Sequence, residues 1–135
     1  MIVEERTYHV FTGKLPDVVR MYTEEGTAIQ QEHLGNLVGA YTVDVGDVSS
    51  IVHLWGYESY AERERRRGLL QADQRWKDFL PRLQPLIHTQ RTRILLPTST
   101  VWASLIGDRS KATSSAALTW YVAPVRRASA NPPVT

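Results

Sequence analysis

The sequence predicts an α+β fold, a four-stranded antiparallel sheet with two main helices on one face. Three observations carry this. The stretch from Ser50 to Ser59 is apolar on both alternating registers, as expected of a strand covered on both sides, and helix-forming residues follow at once from Tyr60 to Gln71. Glu4 to Phe11 is rich in strand-forming residues and leads into apolar residues at helical spacing. Gly46-Asp47 lies between two strand-like runs and signals a hairpin.

In order along the chain, Glu4 to Phe11 is the first strand. Glu4, Arg6, Tyr8 and Val10 share one face, and Glu5, Thr7, His9 and Phe11 the other. Gly13-Lys14 turns the chain. Pro16 suits the first turn of a helix, and Asp17 favours its positive end. Leu15, Val18, Val19, Tyr22 and Ile29 then form a stripe, which predicts a helix from about Pro16 to Glu32. Gly26 interrupts it and allows a kink or a close approach. His33-Leu34-Gly35-Asn36 is a connection, and Leu37 to Val45 is the second strand. In the central strand Ile51, His53, Trp55 and Tyr57 point one way and Val52, Leu54 and Gly56 the other. The helix after it carries the charge run Glu62 to Arg67 and a sparse apolar side of Tyr60, Leu69 and Leu70. Asp73 is the expected N-cap of a short helix through Leu83, with Trp76, Phe79, Leu80 and Leu83 as its apolar stripe and Pro81 and Pro85 limiting its length. His88 to Leu96 is the fourth strand, ended by Pro97.

The order β-α-β-β-α-β, with right-handed crossovers, is the ferredoxin-like arrangement. Its helices cover one sheet face, yet the strands are apolar on both. A standard interface of ~1,600 Å², somewhat over half apolar, gains about 20–25 kcal/mol gross at ~25 cal/mol/Å². Association costs ~4–15 kcal/mol before side-chain ordering. The balance predicts a homodimer with sheets packed face to face.

The chain of 135 residues, 42% hydrophobic and 22% charged, suits one soluble globular domain, here residues 1–97. Residues 98–135 form a tail in which Ser, Thr, Ala and Pro supply 21 of 38 positions, too polar and small to repay ordering, so it is expected to be irregular and mobile. Val101-Trp102 and Leu118 to Val122 are apolar exceptions within it. The net charge of +2 also belongs to the tail: residues 1–97 hold 12 basic and 13 acidic side chains. The body thus lacks the basic field that nucleic acid binding needs. No apolar run reaches membrane-span length, and the start lacks the layout of a signal peptide, so a cytoplasmic location is expected. The chain has no cysteine, and its four histidines lie in separate segments. Neither a metal site nor a cofactor is expected, since no phosphate loop, dinucleotide fingerprint or zinc-helix motif occurs.

The chain resembles the NIPSNAP family. The residues that carry the resemblance are Arg6-Thr7-Tyr8, Gly13-Lys14-Leu15, His33 to Gly39, Val52 to Tyr57, Arg63 to Arg67, Asp73 to Trp76, Phe79-Leu80 and Ile94-Leu95. It covers about residues 2–97. It implies a dimeric α+β barrel of ferredoxin-like subunits. Some animal members, mitochondrial or cytosolic, are linked to vesicle traffic and organelle quality control, and small bacterial members resemble stand-alone domains of unsettled activity. Gln74 departs from the Pro that often opens the short helix, and nothing after Thr98 matches the family pattern.

Candidate site residues follow from strand and helix faces. His53 is the candidate acid/base, because imidazole titrates near neutrality. Trp55 and Tyr57 share its face, and Tyr8 and Arg6 on a neighbouring strand join them as ligand-binding candidates. A buried core or dimer-seam role explains the same set. Arg63, Arg66 and Arg67, the first and last on one face at i, i+4, suit an anionic group, or equally pair with Glu62, Glu64, Glu4 or Glu5. His33 and Asn36 are loop candidates whose plain role is to cap the helix and turn the chain. Two functions fit. The first is a homodimeric module binding a small hydrophobic molecule or a protein partner. The alternative is a cofactor-independent enzyme, of monooxygenase or isomerase type, acting on an aromatic or polyketide-like substrate.

Overall fold

A computed structural model of the chain describes residues 1–98. Four strands, β1 (Ile2–Val10), β2 (Asn36–Thr42), β3 (Ser50–Tyr57) and β4 (Ile87–Leu95), form one antiparallel sheet in the order β2-β3-β1-β4. Helices α1 (Leu15–Met21) and α2 (Thr27–Leu34) connect β1 to β2, and α3 (Tyr60–Ala72) and α4 (Gln74–Leu83) connect β3 to β4. This is the ferredoxin-like α+β fold. The tail segments Val101-Trp102 and Leu118 to Val122 lie outside the described residues.

Alternation along β1 and β3 decides which side chains meet the helices. Tyr8 and Val10 of β1 and Ile51, Trp55 and Tyr57 of β3 are buried. They pack with Val18, Tyr22, Ile29, Leu34, Leu70, Trp76, Phe79 and Leu83 of the helical connections in one core. The fully buried Glu4 and the buried His53 share this layer. The opposite sheet face shows Val52, Leu54 and Tyr41, with Glu5 and Arg93 paired across β1 and β4 at 2.7 Å.

The structure corrects several boundaries. The helix expected from Pro16 to Glu32 runs unbroken from Leu15 to Leu34, but a π-turn, Tyr22–Gly26, interrupts its α-helical winding and divides it into α1 and α2. Close packing accounts for Gly26 there: a Cβ at this position would stand 2.6 Å from Cζ of Phe79. The second strand stops at Thr42 rather than Val45, and Gly46 turns the hairpin at φ 108°. The helix after β3 begins where Ser59 Oγ accepts the Glu62 N–H at 3.1 Å, and α4 where Asp73 accepts the Arg75 N–H at 2.8 Å. α4 runs through Pro81, an exposed position.

Gly26→Ala offers a test of the close approach. Alanine gains ~1 kcal/mol of helix propensity. Overpacking against a rigid ring costs ~1–3 kcal/mol. We expect a net loss of up to about 2 kcal/mol by urea unfolding. A net gain in stability would show that Phe79 does not hold this position.

Candidate functional site

The site is built around Glu4, whose side chain is 0% exposed. Three guanidiniums converge on it. Arg6 Nη1 donates to Oε1 at 3.1 Å and Arg63 Nη2 to the same oxygen at 2.8 Å. Arg67 donates to Oε2 from Nε at 2.9 Å and Nη2 at 2.7 Å. Arg6 comes from the same face of β1, two residues along. Arg63 and Arg67 share a face of α3 at i, i+4 and reach down onto the sheet. Burial by itself pushes the Glu4 carboxyl up, but hydrogen bonds and charges from Arg63, Arg67 and Arg6 outweigh it and hold the pKa below the usual value.

Arg6 also donates from Nε to Tyr8 Oη at 2.8 Å. The π-turn brings Tyr22 over this pair, its ring 6.2 Å from Tyr8 and 4.7 Å edge-on to His53. Burial, and then the Tyr8 hydroxyl beside it, push the Tyr22 phenol well up. His53 is buried with no partner for Nδ1. Burial first, then the charges of Arg6 and Arg67, lower its pKa to about 4, so its imidazole is neutral at pH 7. The Trp55 indole N–H and the Tyr57 hydroxyl are likewise buried without a hydrogen bond. Burial raises the Tyr57 phenol to about 12.

Beside this group a cavity of about 410 Å³ opens between the sheet and α3–α4. Arg6, Tyr8, Tyr22 and Arg67 line one side, and Leu70, Trp76, Leu80, Leu83 and Ile87 form its apolar wall. Gln71, Gln84 and, from β4, His88, Thr89 and Gln90 complete it. The arrangement can take a small molecule with an apolar body and present guanidinium N–H groups to a polar end of it.

Of the residues expected from sequence, Arg6 and Tyr8 line the cavity, and Arg63 reaches the same carboxylate behind it. His53, Trp55 and Tyr57 do not line it, although His53 packs against two of its walls, Tyr8 and Tyr22. The other candidates gather at the C-terminus of α2. His33 Nε2 is 2.7 Å from Asp73 Oδ2, and Asn36 starts β2. Arg66 donates to Glu62 at 2.6 Å and to the Leu34 carbonyl at 3.2 Å. Arg67, read from sequence with Arg63 and Arg66 as a partner for an anionic group or for Glu4, lines the cavity and pairs with Glu4. Sequence reasoning missed Tyr22 and most of the wall from α4 and β4.

The sequence profile of the NIPSNAP family matches residues 3–104, a few residues past the limit near Thr98 expected from the motifs. The chain belongs to the NIPSNAP family. A solved NIPSNAP family protein from Agrobacterium tumefaciens is 49% identical, over 73% of this chain and 93% of that one, with a TM-score of 0.71. The NipSnap homolog of Dictyostelium discoideum is 28% identical over 94 residues, 70% of this chain and 41% of that protein. This NIPSNAP chain spans between 23% and 41% of the length of three curated relatives that it matches. A putative antibiotic biosynthesis monooxygenase from Nitrosomonas europaea shares the fold alone, at 9% identity over 73% of this chain and all of that one, with a TM-score of 0.56. Among the described residues no helix is long and apolar enough to cross a membrane.

Proposed function

We propose that this NIPSNAP domain is a homodimeric module that binds a small, largely apolar molecule between its sheet and α3–α4. The observation that carries the reading is the cavity of about 410 Å³, which brings aliphatic and aromatic walls together with Arg6 and Arg67. Ligand pockets commonly start at ~300 Å³ and combine such walls with a few convergent polar groups. Support for the dimer is the outward sheet face, where Val52 and Leu54 are half-buried and Tyr41 is 57% exposed. A second copy placed face to face would cover that surface. A cytoplasmic location is part of the same proposal.

Native mass spectrometry of the full chain at micromolar concentration tests the assembly. Twice the chain mass is expected, and a lone subunit under non-denaturing conditions would contradict it.

The second reading, a cofactor-independent enzyme, draws on one observation, the unpartnered Nδ1 of His53 against two cavity walls. The monooxygenase name attached to a structural neighbour adds only a likeness of fold. A group with pKa about 4 is a weak base at pH 7, so binding is the stronger reading. Turnover abolished by His53→Gln in a correctly folded protein would reverse that order.

A further inference from the structure

We infer that the cavity takes an oxyanion, a carboxylate or a phosphate, carried on a compact apolar body. The inference rests on the binding function proposed above and adds the chemical class of the ligand. It starts from the hydrogen-bonding capacity of Glu4. Its two oxygens offer about four acceptor sites. Arg6, Arg63 and Arg67 fill all of them, with four donated hydrogen bonds. Three cations on one anion leave two positive charges uncompensated in the group, and Glu4 has no acceptor left for them.

The surplus faces the cavity. Arg6 and Arg67 both line it, whereas Arg63 does not. A guanidinium carries five N–H donors. Arg6 spends one on Glu4 and one on Tyr8, and Arg67 spends two on Glu4. Each therefore keeps three N–H groups for another acceptor. Their side chains are only 17% and 14% exposed, so what satisfies those donors has to enter the cavity. Planar forks of this kind match the two oxygens of a carboxylate or phosphate, and partial burial strengthens the attraction relative to the open surface. A neutral or cationic head group would meet the same donors without answering the charge.

Size and lining set the remainder of the molecule. A cavity of 410 Å³ has the volume of about fourteen waters, so it takes a ligand of roughly ten to fourteen non-hydrogen atoms. Trp76, Leu70, Leu80 and Leu83 give that body an apolar wall. An eight-carbon chain with one oxyanion meets both limits.

Isothermal titration of the full-length protein with octanoate, octyl phosphate, 1-octanol and octylammonium at one ionic strength tests this. The expected result is at least tenfold tighter binding of octanoate, octyl phosphate or both than of octanol. Which of the two wins identifies the head group. The anion advantage, read as the ratio of anion to octanol affinity, should shrink as salt is raised and fall several-fold in Arg6→Gln. Octanol or octylammonium binding as tightly as both anions would overturn the oxyanion assignment and leave the binding function standing. No binding by any of the four would remove both.

Discussion

Glu4→Gln is expected to destabilise the protein by about 3–5 kcal/mol, the usual cost of breaking a buried ion pair by removing one partner. The amide keeps the shape of the carboxylate but not its charge. It would leave three guanidiniums, 14–24% exposed, facing one another with their shared counter-ion gone. Against a total stability of ~5–15 kcal/mol this is a large fraction. Thermal unfolding at pH 7 should show a Tm lowered by at least about 12 °C for a domain of this size. A loss below about 1 kcal/mol would mean that the arginines are neutralised some other way, and would remove Glu4 as the organiser of the site.

The second large effect is a pH dependence set by His53. Its imidazole takes up a proton near pH 6.5 when unfolded but only near pH 4 in the folded core. Between these values the unfolded state binds more protons, so stability falls as pH falls, by up to ~1.4 kcal/mol per pH unit. Across the window this amounts to roughly 3 kcal/mol. Glu4 adds to the slope lower down: its folded pKa is depressed, so its contribution holds above its unfolded value and is lost as pH falls through the folded one. Urea unfolding at pH 7.0, 5.5 and 4.5 should show this decline. His53→Phe, which removes the titrating group and keeps an aromatic ring, should flatten it by about one proton between pH 6.5 and 4. Identical slopes in the two proteins would show that His53 titrates normally and is not sealed in the core.

Much of the fold was legible because it rests on local periodicity. Alternation in β1 and β3 placed Glu4, Arg6 and Tyr8 on one face and His53, Trp55 and Tyr57 on another, and the structure turns both sets toward the helices. Asp73 read as a cap and is one. The π-turn at Tyr22–Gly26 was not legible, because one extra residue in a helical turn leaves the apolar spacing nearly unchanged. The cavity was harder still. It lies where α3, α4 and β4 fail to close over β1, and no local pattern encodes a gap between elements. The pairing of Glu4 with Arg67, 63 residues apart, was legible only as one choice among Glu62, Glu64, Glu4 and Glu5 for the arginines of that helix. Arg66 and Arg67 look alike in sequence. Only the rotation of α3 sends one to the Leu34 carbonyl and the other to the carboxylate beside the cavity.

The central claim, that spare guanidinium donors of Arg6 and Arg67 face a ligand cavity, is open to direct observation. The measurement is an NMR titration of the arginine Nη–Hη signals, which include the spare donors, with octanoate or octyl phosphate. We predict that the Arg6 and Arg67 signals move saturably while those of Arg65 and Arg82, exposed on the helices, stay in place. Unmoved Arg6 and Arg67 signals at saturating ligand, or equal shifts at every arginine, would contradict the account.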